Sequence, residues 1–141
     1  MSAIVVGRIG EYLAAAILEM HQYQTVICQQ AGFDIIATRG QKMWRCQVKA
    51  SSYHSDRPNR MQWHFGIGGN KRIPTIADYD FVACVSIPHR RAFFIPIENL
   101  KQVTMSRNGD FFDDPKLESR TLHETMEILN ERTTKSETMH I

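Results

Sequence analysis

Asp34, a short polar turn, and then Gln47 and Lys49 on either side of Val48 are the residues of this sequence whose types and spacing offer chemistry. Alternate residues of an extended strand share a face, so Gln47 and Lys49 point to one side while Cys46 and Val48 point to the core. If the segment 33–37 folds back antiparallel on 44–49 across Thr38-Arg39-Gly40-Gln41, Asp34 lies near Gln47 and Lys49 at one end of a hairpin. A carboxylate, an amide and an ammonium then converge. Such a cluster suits phosphodiester hydrolysis, which needs a hard cation held by oxygen ligands to offset charge at the phosphate, and a base or ammonium to manage the attacking water.

The elements that must position these groups follow from local pattern. Ile9, Leu13, Ala16, Ile17 and Met20 recur at helical spacing and predict an opening amphipathic helix over 4–21. Short runs rich in β-branched and aromatic residues predict strands at 25–28, 33–37 and 43–49, and alternation at 61–65 predicts another. The continuous apolar runs 81–87 and 92–97 read as strands covered on both faces, with Pro96, which lacks an N–H, at a strand end or sheet edge. Leu122, Met126 and Leu129 predict a closing helix over 117–132, introduced by Asp113-Asp114-Pro115. The order implies an α/β fold, a mixed central β-sheet flanked by helices, as one domain over 1–132 with 133–141 a flexible tail.

Composition agrees with a globular domain. With 141 residues, 43% hydrophobic and 23% charged, the chain can bury one real core but not a catalytic domain plus a separate DNA-binding domain. No apolar run is long enough to span a bilayer and no signal-type start is present, so the expected compartment is the cytoplasm. Cys28, Cys46 and Cys84 are odd in number and far apart, and no histidine pairs with them at ligand spacing, which disfavours a disulfide framework or a structural zinc. Residues 1–107 carry thirteen Lys/Arg against seven Asp/Glu, and 108–141 four against eight. A basic body with an acidic tail suits a polyanionic ligand met by the body, or is an uneven solvated surface.

Three segments together resemble the PD-(D/E)XK nuclease superfamily, and in particular its small single-domain members: Gly7-Arg8-Ile9-Gly10-Glu11, Phe33-Asp34-Ile35-Ile36-Ala37 and Cys46-Gln47-Val48-Lys49. The likeness is good over 7–52 and weaker over 75–97, where Asp80-Phe81-Val82-Ala83 precedes a second strand. Singly, each residue also has a plain reading: Glu11 as a solvated helix carboxylate, Asp34 as a turn residue, Lys49 as a charge that blunts a sheet edge. The resemblance implies a restriction-endonuclease-like fold with Glu11, Asp34, Gln47 and Lys49 as the catalytic group. It implies a Mg2+ ion, for which Mn2+ substitutes, held by Asp34, Glu11, Gln47 and the Val48 backbone carbonyl. Gln47 stands where the family usually has Asp or Glu, which removes one negative charge from the metal site and leaves the number of ions open.

Arg57, Arg60, Lys71, Arg72, Arg90 and Arg91 fall in loops flanking this group and are the expected DNA-binding residues, with Gln62 and Asn70 as candidates for base edges. The expected activity is divalent-metal-dependent cleavage of double-stranded DNA by a homing or phage-type endonuclease acting as a homodimer or homotetramer, because one active site cuts one strand. A Holliday-junction resolvase and a non-catalytic DNA-binding module that keeps the nuclease fold are the alternatives.

Overall fold

The structure, a computed structural model, describes residues 1–30, 32–53 and 59–139, the side chains at 29, 30 and 133–139 excepted. The opening helix, α1 (Ala3–Met20), starts at Ser2, whose hydroxyl accepts from the Val5 N–H at 3.3 Å and so satisfies one of the free donors of the first turn. Strands β1 (Gln24–Gln30), β2 (Phe33–Arg39) and β3 (Lys42–Ser51) follow as an antiparallel meander. The β2–β3 turn is only Gly40-Gln41, and Gly40 adopts φ +62°, a conformation that favours glycine.

Strand β5 (Phe81–Ser86) then pairs parallel to β3, and β6 (Arg91–Pro96) pairs antiparallel to β5. The five-stranded sheet therefore has the order β1-β2-β3-β5-β6, a mixed sheet in an α/β fold as the sequence predicts. The parallel step requires a crossover. Residues 52–80 supply it and contain β4 (Arg60–His64), which pairs not with this sheet but with β7 (Thr104–Asn108) in a separate two-stranded ribbon. Pro96 ends β6, the edge strand, where its missing N–H costs nothing.

Two cores sit on opposite faces of the sheet. On one, Ile35, Ala37, Cys46, Val48, Ala83 and Val85 pack against Ala14, Leu18 and the closing helix α2 (Leu117–Met139) through Leu122, Met126 and Leu129. On the other, Val82, Cys84, Phe93 and Ile95 pack under Met61 and Trp63 of the ribbon and under Phe112. Every residue of β5 is buried, as its unbroken apolar run predicts for a strand covered twice. Helix α2 also closes the β6 edge: Ala92 N–H donates to Glu118 Oε2 at 3.2 Å and Phe94 N–H to Thr121 Oγ1 at 3.1 Å, so strand donors that would face solvent are satisfied.

The helix continues to Met139 where the sequence predicts a flexible tail from residue 133; only 140 and 141 of that tail lie outside the described residues. Strand β7 was not foreseen. No described helix is long and apolar enough to cross a membrane.

Candidate active site

The site begins with the contact between α1 and β3. Gly10 is buried, and a Cβ placed on it would lie 2.6 Å from Ala50 Cβ and 3.7 Å from Val48 Cγ1, so only glycine lets the helix approach the strand this closely. Gly7 has open space at the same point and nothing in the structure explains it. The close approach carries the next residue, Glu11, to Asp34. Partial burial, then the charge and hydrogen-bonding contact of Asp34, hold the Glu11 carboxyl above its usual range, against a smaller opposing pull from Arg8.

Asp34 itself lies where the sheet opens. The β2–β3 ladder runs from Arg39–Lys42 to Ile35–Cys46 and stops. Beyond that pair the Val48 N–H donates to Asp34 Oδ2 at 2.9 Å, the carboxylate replacing the next backbone partner. The N–H and C=O of one strand residue point to the same edge, so the Val48 carbonyl is aimed into the gap that holds Asp34. Gln47 closes the other side: with its amide turned to satisfy both of its ends, the nitrogen donates to Gly32 O at 3.0 Å and to Asp34 Oδ2 at 3.3 Å.

Burial along β3 alternates as expected, with Cys46 and Val48 buried and Gln47 and Lys49 half-buried. In register, Gln47 stands beside Val82 and Lys49 beside Cys84, which places both on the ribbon-side face. Lys49 makes no ion pair with a described residue. Lys49 is therefore half-buried with no carboxylate paired to it among the described residues.

The fold resembles that of a bacterial homing endonuclease. The solved structure of that enzyme, I-Ssp6803I, superposes with a TM-score of 0.70 over 97% of this chain and 99% of that one, at 12% sequence identity. At that identity the likeness is one of fold. No protein-family model matches the chain, and no curated protein matches it in sequence.

The residues that meet also fit a hard divalent cation. Two carboxylates side by side, one with its pKa raised by the other and by burial, carry a repulsion that a cation relieves, and a backbone carbonyl points to the same place. Among the described residues no group of three or more His, Cys, Asp or Glu side chains could hold a metal, and the two carboxylates that meet here are Glu11 and Asp34. Turned so that its nitrogen faces Asp34, the Gln47 amide braces that carboxylate; turned the other way, its oxygen faces the same place.

The basic residues singled out from sequence have unlike settings. Arg57 lies outside the described residues. Arg72 grips Asp78 in a two-pronged pair at 2.9 and 2.8 Å, and this, with the Thr75 N–H, draws the Asp78 carboxyl down to about 2. Arg91 pairs with Glu118 and donates to Phe112 O, fastening β6 to α2. The charges of Arg72 and Arg91 are thus committed within the chain. Lys71 and Arg90 are exposed, both at positive φ (50° and 52°), in turns. Arg60 opens β4, and its Nε is buried with no hydrogen-bond partner among the described residues.

Sequence reasoning passed over Lys101 and Arg107, which with Arg60 line a groove of about 520 Å³ beside β7. The only signal was an unremarkable polar stretch. It also passed over Ser86 and His89, where Ser86 Oγ lies 2.6 Å from His89 Nδ1 and Tyr53 Oη 3.2 Å from Nε2. Ser86 is fully buried, so this triplet locks the β5–β6 turn rather than meeting a substrate.

Proposed function

We propose that this chain is a divalent-metal-dependent DNA endonuclease of the PD-(D/E)XK type, cutting duplex DNA at defined sites as a homodimer or homotetramer. One observation carries the reading: carboxylates from two different elements, Glu11 and Asp34, meet where the β2–β3 ladder opens, on the strand that bears Lys49. The likeness of fold to a homing endonuclease supports it.

Glu11, Asp34 and the Val48 carbonyl would hold Mg2+, or Mn2+ in its place. When bound, the ion offsets charge on the phosphate and makes a bound water more acidic. Asp34 is kept in place by the Val48 N–H and by the Gln47 amide. Lys49 faces the phosphate with an unneutralised ammonium and either steadies its developing charge or orients the attacking water. Because one site cuts one strand, a duplex cut needs two copies.

The test is incubation of supercoiled, linear, branched and single-stranded DNA with Mg2+, with Mn2+ and with a chelator. Metal-dependent cleavage of duplex substrates that disappears in Asp34→Asn is expected. A preference for branched DNA would move the assignment to a junction resolvase. Cleavage that persists in the chelator would overturn the metal mechanism.

A further inference from the structure

The β4–β7 ribbon turns one face to the core and presents the other outward. Met61, Trp63, Met105 and Arg107 belong to the inner face, under which the second core packs, and the Arg107 guanidinium lies 5.3 Å from the centre of the Phe111 ring. The outer face pairs Arg60 with Asn108, Gln62 with Ser106 and His64 with Thr104. Those six residues all donate or accept hydrogen bonds, none is acidic, and none is a large apolar side chain. The adjoining groove continues the bias: Arg60, Lys101 and Arg107 line it with Gln102, Thr104 and Ser106, and among the described residues no carboxylate does. The buried, unpartnered Nε of Arg60 is a donor without an acceptor among the described residues.

We infer that this ribbon reads base edges in the major groove of duplex DNA, while Arg60 and Lys101 hold the adjacent phosphates; the inference rests on the proposed endonuclease function and gives that enzyme its sequence-reading surface. Dimensions allow it. Paired strands lie about 4.8 Å apart, and a major groove about 12 Å wide admits a two-stranded ribbon with its side chains. The chemistry allows it too, since Gln and Asn present a donor and an acceptor together, as an adenine edge requires. The ribbon is also tied to the candidate active site. Gln62 N–H donates to Ser51 Oγ at 3.3 Å, and Ser51 lies two residues beyond Lys49 on β3, roughly 7 Å along the strand. A ribbon seated in the groove would thus fix which phosphate reaches Lys49.

Two double variants separate the roles. Gln62→Ala with Ser106→Ala removes donors and acceptors from the outer face without touching a charge. Arg60→Ala with Lys101→Ala removes charge from the groove. The probes are a random-sequence duplex pool, whose cut products are sequenced, and anisotropy on the same pool across a salt series. The first pair should bind the pool as the parent does, with the same salt slope, but lose on the order of ten- to hundred-fold discrimination at one or two adjacent base-pair positions. The second pair should weaken binding to every sequence and flatten the slope of log affinity against log salt by about 0.9 per lost contact. Arg60→Lys in place of Arg60→Ala keeps the charge and stem, and should retain most of the slope if the alanine variant melts early. A parent that cuts and binds, with both pairs unchanged in cut profile and slope, overturns the ribbon alone. A parent that neither binds nor cuts the pool overturns the endonuclease reading and this inference with it.

Discussion

The two faces of the central sheet are used differently. The helix-covered face is apolar from β2 to β6, with Ile35, Ala37, Cys46, Val48, Ala83 and Val85 meeting α1 and α2, and its ion pairs lie at the margins. The ribbon-covered face is apolar under β5 and β6, with Phe33 of β2 at its border; toward β3 and β2 it gives way to Lys49, Gln47 and Asp34. Strand β3 therefore serves stability through its even-numbered residues 46 and 48 and chemistry through 47 and 49. Parity along one strand separates the two tasks, and variants on opposite faces should fail in opposite ways.

The largest expected effect is on Asp34→Asn, which should lose metal-dependent cleavage outright while melting close to the parent, because the amide oxygen can still accept the Val48 N–H. Next comes Lys49→Ala, expected to slow cleavage about 10²–10⁴-fold with folding intact. Undiminished cutting by that variant would remove Lys49 from the mechanism. On the opposite face, Ile35→Ala should cost about 2–5 kcal/mol in denaturant unfolding yet leave the cleavage rate per folded molecule near that of the parent. A rate that collapsed with this core variant would show that the two faces are not separable.

How far this division was legible in the sequence depends on the residue. The alternation at Cys46-Gln47-Val48-Lys49 was readable because strand geometry alone assigns the faces, and the Gly40 hairpin fixed which residues β2 and β3 oppose. The meeting of Glu11 and Asp34 was not readable from periodicity; it came from likeness to a family, and its physical cause, the missing Cβ at Gly10, shows only in three dimensions. Strand β7 was illegible because Thr104-Met105-Ser106-Arg107-Asn108 has no apolar alternation and gains its pairing from β4, far away in the chain. Past Arg132, α2 offers Thr133, Thr134 and Ser136 with no apolar stripe, so local pattern predicts an end that the backbone does not make. Nor could sequence show that Arg91 and Arg72 would spend their charges on Glu118 and Asp78.

A smaller effect tests the link between the faces. Gly10→Ala should cost about 1–3 kcal/mol by crowding Ala50, and should also lower cleavage because it pushes Glu11 away from Asp34. Ala50→Gly added to it should restore both stability and activity. Restored stability without restored activity would mean that Glu11 placement does not depend on this contact.

The smallest effect is on Glu11 and is a matter of pH. Its carboxyl pKa is raised in the folded chain, so the folded state keeps a proton that the unfolded state has released. Stability of the metal-free protein from this group is therefore full below the ordinary carboxylate range and falls as pH rises through the raised value. Glu11→Gln should remove that fall, melting slightly higher than the parent at neutral pH without metal, and gaining less from added Mg2+. Gln47→Glu should do the reverse, crowding a third carboxylate against Asp34 when metal is absent and binding metal more tightly when it is present.

The central claim is that Glu11 and Asp34 hold one cation between them, and calorimetric titration of Mn2+ into the parent, Glu11→Gln, Asp34→Asn and the double variant tests it most directly. A shared site predicts that each single change weakens binding sharply, that the double change adds little further, and that parent affinity rises with pH as the Glu11 proton leaves. Parent-like Mn2+ affinity in either single variant would contradict the account.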